Sequence, residues 1–81
     1  NMVILTQNQE CLAEIDFAEI QKQDKIINEQ TIRTYKIIGR TYTNIKAEIL
    51  LAEYKDINTA KIQLKNITSN YYTMQQDTNI Q

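Results

Sequence analysis

The sequence predicts an all-α fold, a small helical bundle or long antiparallel helical hairpin of about three helices with coiled-coil-like packing. Three observations predict it. Tyr35, Ile38, Tyr42, Ile45, Ile49 and Ala52 recur at alternating intervals of three and four residues, the seam of a helix packed against neighbours at a small crossing angle. Ile57, Ala60, Leu64, Ile67, Tyr71 and Met74 repeat that spacing. The 81 residues hold no proline and one glycine, Gly39, so loops of special backbone geometry have little to be built from.

The elements follow in order along a single helical domain, residues 1–81, with ends at 1–5 and 76–81 expected to fray. Thr6-Gln7-Asn8-Gln9 has the form of a capping box, and Leu12, Ile15, Phe17, Ala18 and Ile20 beyond it make an apolar face, so a first helix is placed at about 8–24. The wholly polar QKQDK at 21–25 is its solvated last turn or a loop, with the boundary between Asp24 and Asn28, and Asn28 is the N-cap of a second helix at about 29–54. Ala52 to Ile57 is five residues, which breaks the heptad. Either the chain reverses at Lys55-Asp56-Ile57-Asn58, with Asp56 or Asn58 capping a third helix at about 57–75, or one long helix absorbs a one-residue skip.

Size and charge bound the function. A domain this small buries only about 60% of the surface its unfolded chain exposes, so a partner chain would add to a marginal core. A net charge of −1 and a pI near 5.3 predict no global attraction to nucleic acid or to an anionic membrane. Cys11 is the only cysteine; no cation flanks it in Cys11-Leu12-Ala13, which suits a buried thiol and a reducing, cytoplasmic setting. Met2-Val3-Ile4-Leu5 is too short for a signal-peptide core or a membrane span, so no membrane partner is expected. Asn1 ahead of Met2 reads as a vector scar or a fragment boundary, and the sequon Asn66-Ile67-Thr68 as accidental within a helix.

Catalytic chemistry has few candidates. Without histidine the commonest general base and metal ligand is missing, and Cys11 has no imidazole to activate it. Glu10, Glu14, Asp16 and Glu19 form an acidic run that the dipole of a helix N-terminus explains more simply than a metal. Gly39 stands alone mid-helix, where it either lets another helix approach closely or is simply tolerated at a cost of about 1 kcal/mol relative to Ala, so no phosphate loop can be built around it. The expectation is a protein that is not an enzyme, with no cofactor and no metal.

Arg33, Lys36 and Arg40, with Lys46, form a cationic stripe on the solvent side of the second helix. It serves either phosphates or an acidic partner, or is an ordinary solvated face on which Glu29 pairs with Arg33. Leu5-Thr6, Ala18-Glu19-Ile20 and Asn28-Glu29-Gln30-Thr31-Ile32-Arg33 resemble the helix-turn-helix of LuxR-type response-regulator transcription factors. That resemblance implies DNA contacts from Arg33, Thr34 and Lys36; Gln21 and Lys25 depart from its apolar positions, and the interval from Glu19 to Thr31 is one residue longer. Ala47, Leu51, Tyr54, Ala60 and Leu64 around the turn at 55–57 resemble one tetratricopeptide-type hairpin, or an antiparallel hairpin of secretion and efflux adaptors, with no second repeat in the chain.

Tyr54 and Tyr72 lie off the two seams and, with Leu50, Leu51 and Ile62, give the helices more apolar surface than one facing helix covers. The expected function is therefore a non-catalytic protein–protein interaction module: an oligomerisation element, assembly factor or small chaperone-like adaptor. Its partner is another protein or a second copy. Leu50, Tyr54, Ile62 and Tyr72 would supply the contact, with Arg33, Lys36 and Arg40 setting orientation. The alternative is a small helix-turn-helix-like nucleic-acid-binding regulator that uses the basic stripe at 33–46.

Overall fold

The computed structural model describes residues 1–68 and 70–78, and it overturns the all-α expectation: the chain is built mainly of strands. Strands β1 (Met2–Leu5), β2 (Leu12–Ile15), β3 (Phe17–Ile27), β4 (Gln30–Thr41) and β5 (Asn44–Tyr54) come first, then helix α1 (Ile57–Asn66) and strand β6 (Tyr71–Thr73). They form two three-stranded sheets, ordered β2-β1-β6 and β3-β4-β5. There is no helical bundle and no coiled coil. Where helices were expected at 8–24 and 29–54 stand β2 with β3 and β4 with β5, and the helix expected over 57–75 ends at Asn66.

The residues themselves explain the strands. From Thr31 to Thr43 the chain is dominated by Thr, Ile and Tyr, whose branched or aromatic side chains suit a pleated surface better than a helix. In β2 the alternation is plain, with Ala13 and Ile15 buried and Leu12 and Glu14 exposed. The β3–β4 turn is made by Asn28 (φ 51°) and Glu29 (φ 64°), both left-handed, as a two-residue type I′ hairpin requires. At the β4–β5 turn the Asp16 carboxylate accepts from the Tyr42 N–H (2.8 Å), and the Tyr42 ring stacks on Phe17. Glutamate tolerates a left-handed backbone poorly, so Glu29→Gly is expected to stabilise the chain by about 0.5–1 kcal/mol, read as a higher urea midpoint.

The two sheets are tied at both ends. Asp16 alone separates β2 from β3, and its N–H donates to the Arg40 carbonyl (2.9 Å). Across the molecule the Gln7 N–H donates to the Leu51 carbonyl (2.8 Å) and the Gln7 side-chain carbonyl accepts from the Glu53 N–H (2.9 Å). Between the sheets and α1 lies one core, in which Ile4, Ile15, Ile37, Leu51, Tyr54, Ala60 and Met74 are wholly or almost wholly buried. Asp56 caps α1 by accepting from the Thr59 N–H (3.1 Å), and Ala60 and Ile67 face the core.

Several local expectations change with the fold. Residues 2–5 are not frayed: they are the central strand of the first sheet, paired antiparallel to β2 and parallel to β6. Thr6–Gln9 caps no helix; it belongs to a hairpin loop in which Asn8 accepts from the Thr6 hydroxyl and the Glu10 N–H, and Gln9 is left-handed. Cys11, expected to be buried, is exposed on that loop. Gln76 and Asp77 are anchored, to the Gln7 carbonyl and the Lys55 N–H respectively, while residues 79–81 of the expected frayed end lie outside the described residues. Among the described residues, no helix is long and apolar enough to cross a membrane.

Candidate interaction site on the β3–β4 ribbon

Strand β5 ends at Tyr54, opposite Tyr35, but β3 and β4 continue beyond it as a two-stranded ribbon formed by residues 23–27 and 30–34. In a two-residue hairpin the residues flanking the turn, here Ile27 and Gln30, form a hydrogen-bonded pair. Odd-numbered residues of β3 therefore bond to β4, and the N–H and C=O groups of Ala18, Ile20, Lys22, Asp24 and Ile26 point the other way. The same rule turns Tyr35 and Ile37 toward β5, where they pair with Tyr54 and Ala52, and leaves Thr31 and Arg33 pointing past its end. Among the described residues, no backbone pairs with the outer edge of β3 or with β4 at Thr31 and Arg33.

Side chains alternate across this ribbon. One face carries Lys25, Ile27, Ile32 and Thr34; the other carries Lys22, Asp24, Ile26, Thr31 and Arg33. The tip is apolar and open: Ile26 is 80% exposed, and Ile27 and Ile32 are also exposed. On the first face an open groove of about 570 Å³ runs between Ile27, Ile32 and Lys25 on the ribbon and Gln7, Tyr54, Lys55 and Asp77 on the body.

The groove's carboxylates have partners within the chain. Glu53 takes the Lys25 ammonium (3.0 Å) and the Thr34 hydroxyl, and Asp77 accepts from the Lys55 N–H (3.0 Å). Burial pushes the Glu53 carboxyl up, but the hydrogen bonds from Thr34 and Lys25 and the charges of Lys25 and Lys36 outweigh it, holding the group below its ordinary range. A carboxylate whose folded pKa is depressed stabilises the fold above its unfolded pKa, and that contribution disappears as pH falls through the folded value. Glu53→Gln is accordingly expected to flatten the loss of stability below about pH 4.5, measured as urea midpoint against pH. On the opposite face Arg33 grips Asp24 with two bonds (2.8 and 3.2 Å), a hydrogen-bonded pairing that lowers the carboxyl's pKa.

The residues chosen from sequence are scattered by the strands. A helix would have put Arg33, Lys36 and Arg40 on one stripe; strand alternation sends Arg33 to one face and Lys36 and Arg40 to the other. Arg40 is bound to Glu19 (2.6 Å), to Glu48 (3.1 Å) and to the Ile45 carbonyl (2.9 Å). The helix-turn-helix resemblance loses its premise, since β3 and β4 occupy its two helices, and the tetratricopeptide-type hairpin keeps only its second half as helix. Tyr54 is fully buried with its hydroxyl donating to the Gln75 carbonyl (2.6 Å), and the Tyr72 hydroxyl donates to the Gln63 side chain (2.8 Å). Leu50 and Ile62 are exposed, one on β5 and one on α1.

The acidic run has no helix dipole to answer: Glu14 accepts from Asn1, Asp16 from the Tyr42 N–H and Glu19 from Arg40. Among the described residues no three histidine, cysteine or acidic side chains stand close enough together to hold a metal. Sequence reasoning missed Lys22, Asp24 and Ile26, which lie in or beside the stretch read as a solvated last turn or a loop. The usable signal was Asn28-Glu29 between Ile26-Ile27 and Thr31-Ile32, a turn pair flanked by strand-formers. No protein-family model, curated protein or solved structure matches the chain.

Proposed function

We propose that the protein is a non-catalytic interaction module that takes up an extended segment of another protein chain by strand addition along the outer edge of β3. The observation that carries this reading is an 11-residue edge strand whose outward backbone groups have no partner among the described residues, ending in the exposed pair Ile26 and Ile27. Long open edges are pairing surfaces that folded proteins ordinarily cover or shorten. Main-chain hydrogen bonds would supply affinity, and the apolar tip with Lys22 and Asp24 would supply register. This mechanism replaces the apolar helix faces expected from sequence. The exposed lone thiol of Cys11 suits a reducing compartment, and the cytoplasm is the setting we propose.

A displayed library of short random peptides tests the reading. Proline at Lys22 removes an outward N–H without breaking a β3–β4 bond, because the Lys22 amide points away from β4. Selected peptides are expected to show alternating apolar residues and to lose about tenfold or more in affinity for Lys22→Pro, with Ile62→Ser on α1 as the unaffected control. Binders indifferent to Lys22→Pro, or no binders on a chain that is monomeric, would contradict it.

A further inference from the structure

Resting on the strand-addition reading, we infer that the segment received by β3 is β3 of a second copy, paired antiparallel about a two-fold axis at Gln23. Only residues with outward backbone groups can form the new hydrogen-bonded pairs, so even-numbered residues must face even-numbered residues. That leaves few registers. An axis at Lys22 sets two lysines against each other and Ile20 against the partner's Asp24. An axis at Asp24 opposes two aspartates and puts Lys22 against the partner's Ile26. Axes at Gln21 or Lys25 face isoleucine with a charge. With the axis at Gln23, Lys22 meets the partner's Asp24 twice and Ile20 meets the partner's Ile26 twice.

That register matches charge with charge and apolar with apolar at each hydrogen-bonded pair from Ile20 to Ile26. Opposite charges directly across two strands attract, and like charges repel by a similar amount, so the sequence favours this alignment among the five. Asp24 can serve both partners: Arg33 takes two of its lone pairs within the chain, and a carboxylate offers about four acceptor sites. The exposed Ile26 is then covered by Ile20 of the second copy, and the two meanders join into one six-stranded sheet. A symmetric pairing of this kind uses the same patch on both copies and closes on itself, which stops at a dimer.

The test is molar mass by light scattering over a concentration series, with a cross-link to read the register. The intact chain is expected to reach twice its 9.5 kDa. Lys22→Glu sets two acidic pairs across the axis and is expected to weaken the dimer about thirtyfold. Adding Asp24→Lys restores opposite pairs and is expected to recover it. In a Cys11→Ser background, Gln23→Cys is expected to form a disulfide-linked dimer on mild oxidation, since non-hydrogen-bonded partners stand about 4.5 Å apart at Cα, within bridging range. Gln21→Cys, opposite Lys25, is expected to give none. A dimer unaffected by Lys22→Glu and not cross-linked through Gln23→Cys would overturn the inference by placing the interface elsewhere. A monomer would overturn it too; peptide binders sensitive to Lys22→Pro would then leave strand addition standing with another partner, and their absence would remove both.

Discussion

Tyr54→Ala is expected to cost about 3–5 kcal/mol, the range for truncating a fully buried aromatic side chain, and to leave much of the chain unfolded at 37 °C. A domain of this length has a total stability of about 4–12 kcal/mol, so the loss is a large part of the whole. Tyr54 is placed to matter this much because it ends β5, faces the core beside α1, and ties the C-terminal segment down through its bond to the Gln75 carbonyl. Tyr54→Phe separates the ring from the hydroxyl and is expected to cost about 1 kcal/mol. It also has a pH signature. Burial, with the charges of Tyr72 and Asp77 adding to it, raises the Tyr54 phenol above its ordinary value near 10.0. A raised folded pKa gives stability that is complete below the unfolded value and is lost as pH rises toward the folded one. The intact chain should therefore weaken above about pH 10, and Tyr54→Phe should lose that part of the slope. Urea midpoints measured from pH 7 to 11 check both, and an unchanged midpoint for Tyr54→Ala would contradict the packing described.

The second large effect is at Gly39. A Cβ there would lie 2.6 Å from the Ile15 Cγ2 methyl and 3.3 Å from Leu51, both side chains buried between the sheets. At Gly39 the Ile15 side chain of β2 packs directly against the β4 backbone, in space that any side chain there would fill. Gly39→Val is expected to cost about 1–3 kcal/mol, the range for overpacking a filled core. In an Ile15→Ala background the added bulk has somewhere to go, so the cost of Gly39→Val should shrink or change sign. A thermal or urea midpoint that falls equally in both backgrounds would mean the effect is not this contact.

Gly39 also marks what could be read from the sequence. The expectation of close approach to another element at that residue depends only on the absent side chain, so it survives although the element is a strand. The break at 55–56 and the Asp56 cap, one of two candidates with Asn58, were legible for the same kind of reason: capping is local chemistry, and Ala60 and Leu64 keep a true helical face within the ten residues of α1. Beyond Ile67 the seam was accidental, since Tyr71 is exposed on β6 and Met74 reaches the core from an extended segment.

The larger error lay in 35–52. Tyr42, in the β4–β5 turn, and Ile45, just beyond it, are two members of the supposed seam and are 71% and 56% exposed. The two-residue alternation that would have announced β5 is broken because its register against β4 shifts, Ile37 facing Ala52 and Ile38 facing Leu50, so that the extra residue Leu51 is buried beside Ala52. Turns were hidden as well. With no proline and one glycine, Asn28-Glu29 and Tyr42-Thr43 make the reversals, and only a tertiary fold holds Glu29 in a left-handed backbone. The site was illegible for a related reason. Lys22, Asp24 and Ile26 become neighbours of one another's backbone edge only when the period is two, and under a period of 3.6 they spread around a helix.

Residue-resolved amide exchange of β3 as a function of protein concentration tests the central claim, that the outer edge of this strand is a pairing surface. At low concentration the account predicts protection that alternates along the strand: slow amides at Gln21, Gln23 and Lys25, bonded to β4, and fast ones at Lys22, Asp24 and Ile26. As concentration rises, the fast set should slow while the others stay as they were. Amides of Lys22, Asp24 and Ile26 that exchange at one rate at every concentration, and stay fast with the selected peptides present, would contradict it.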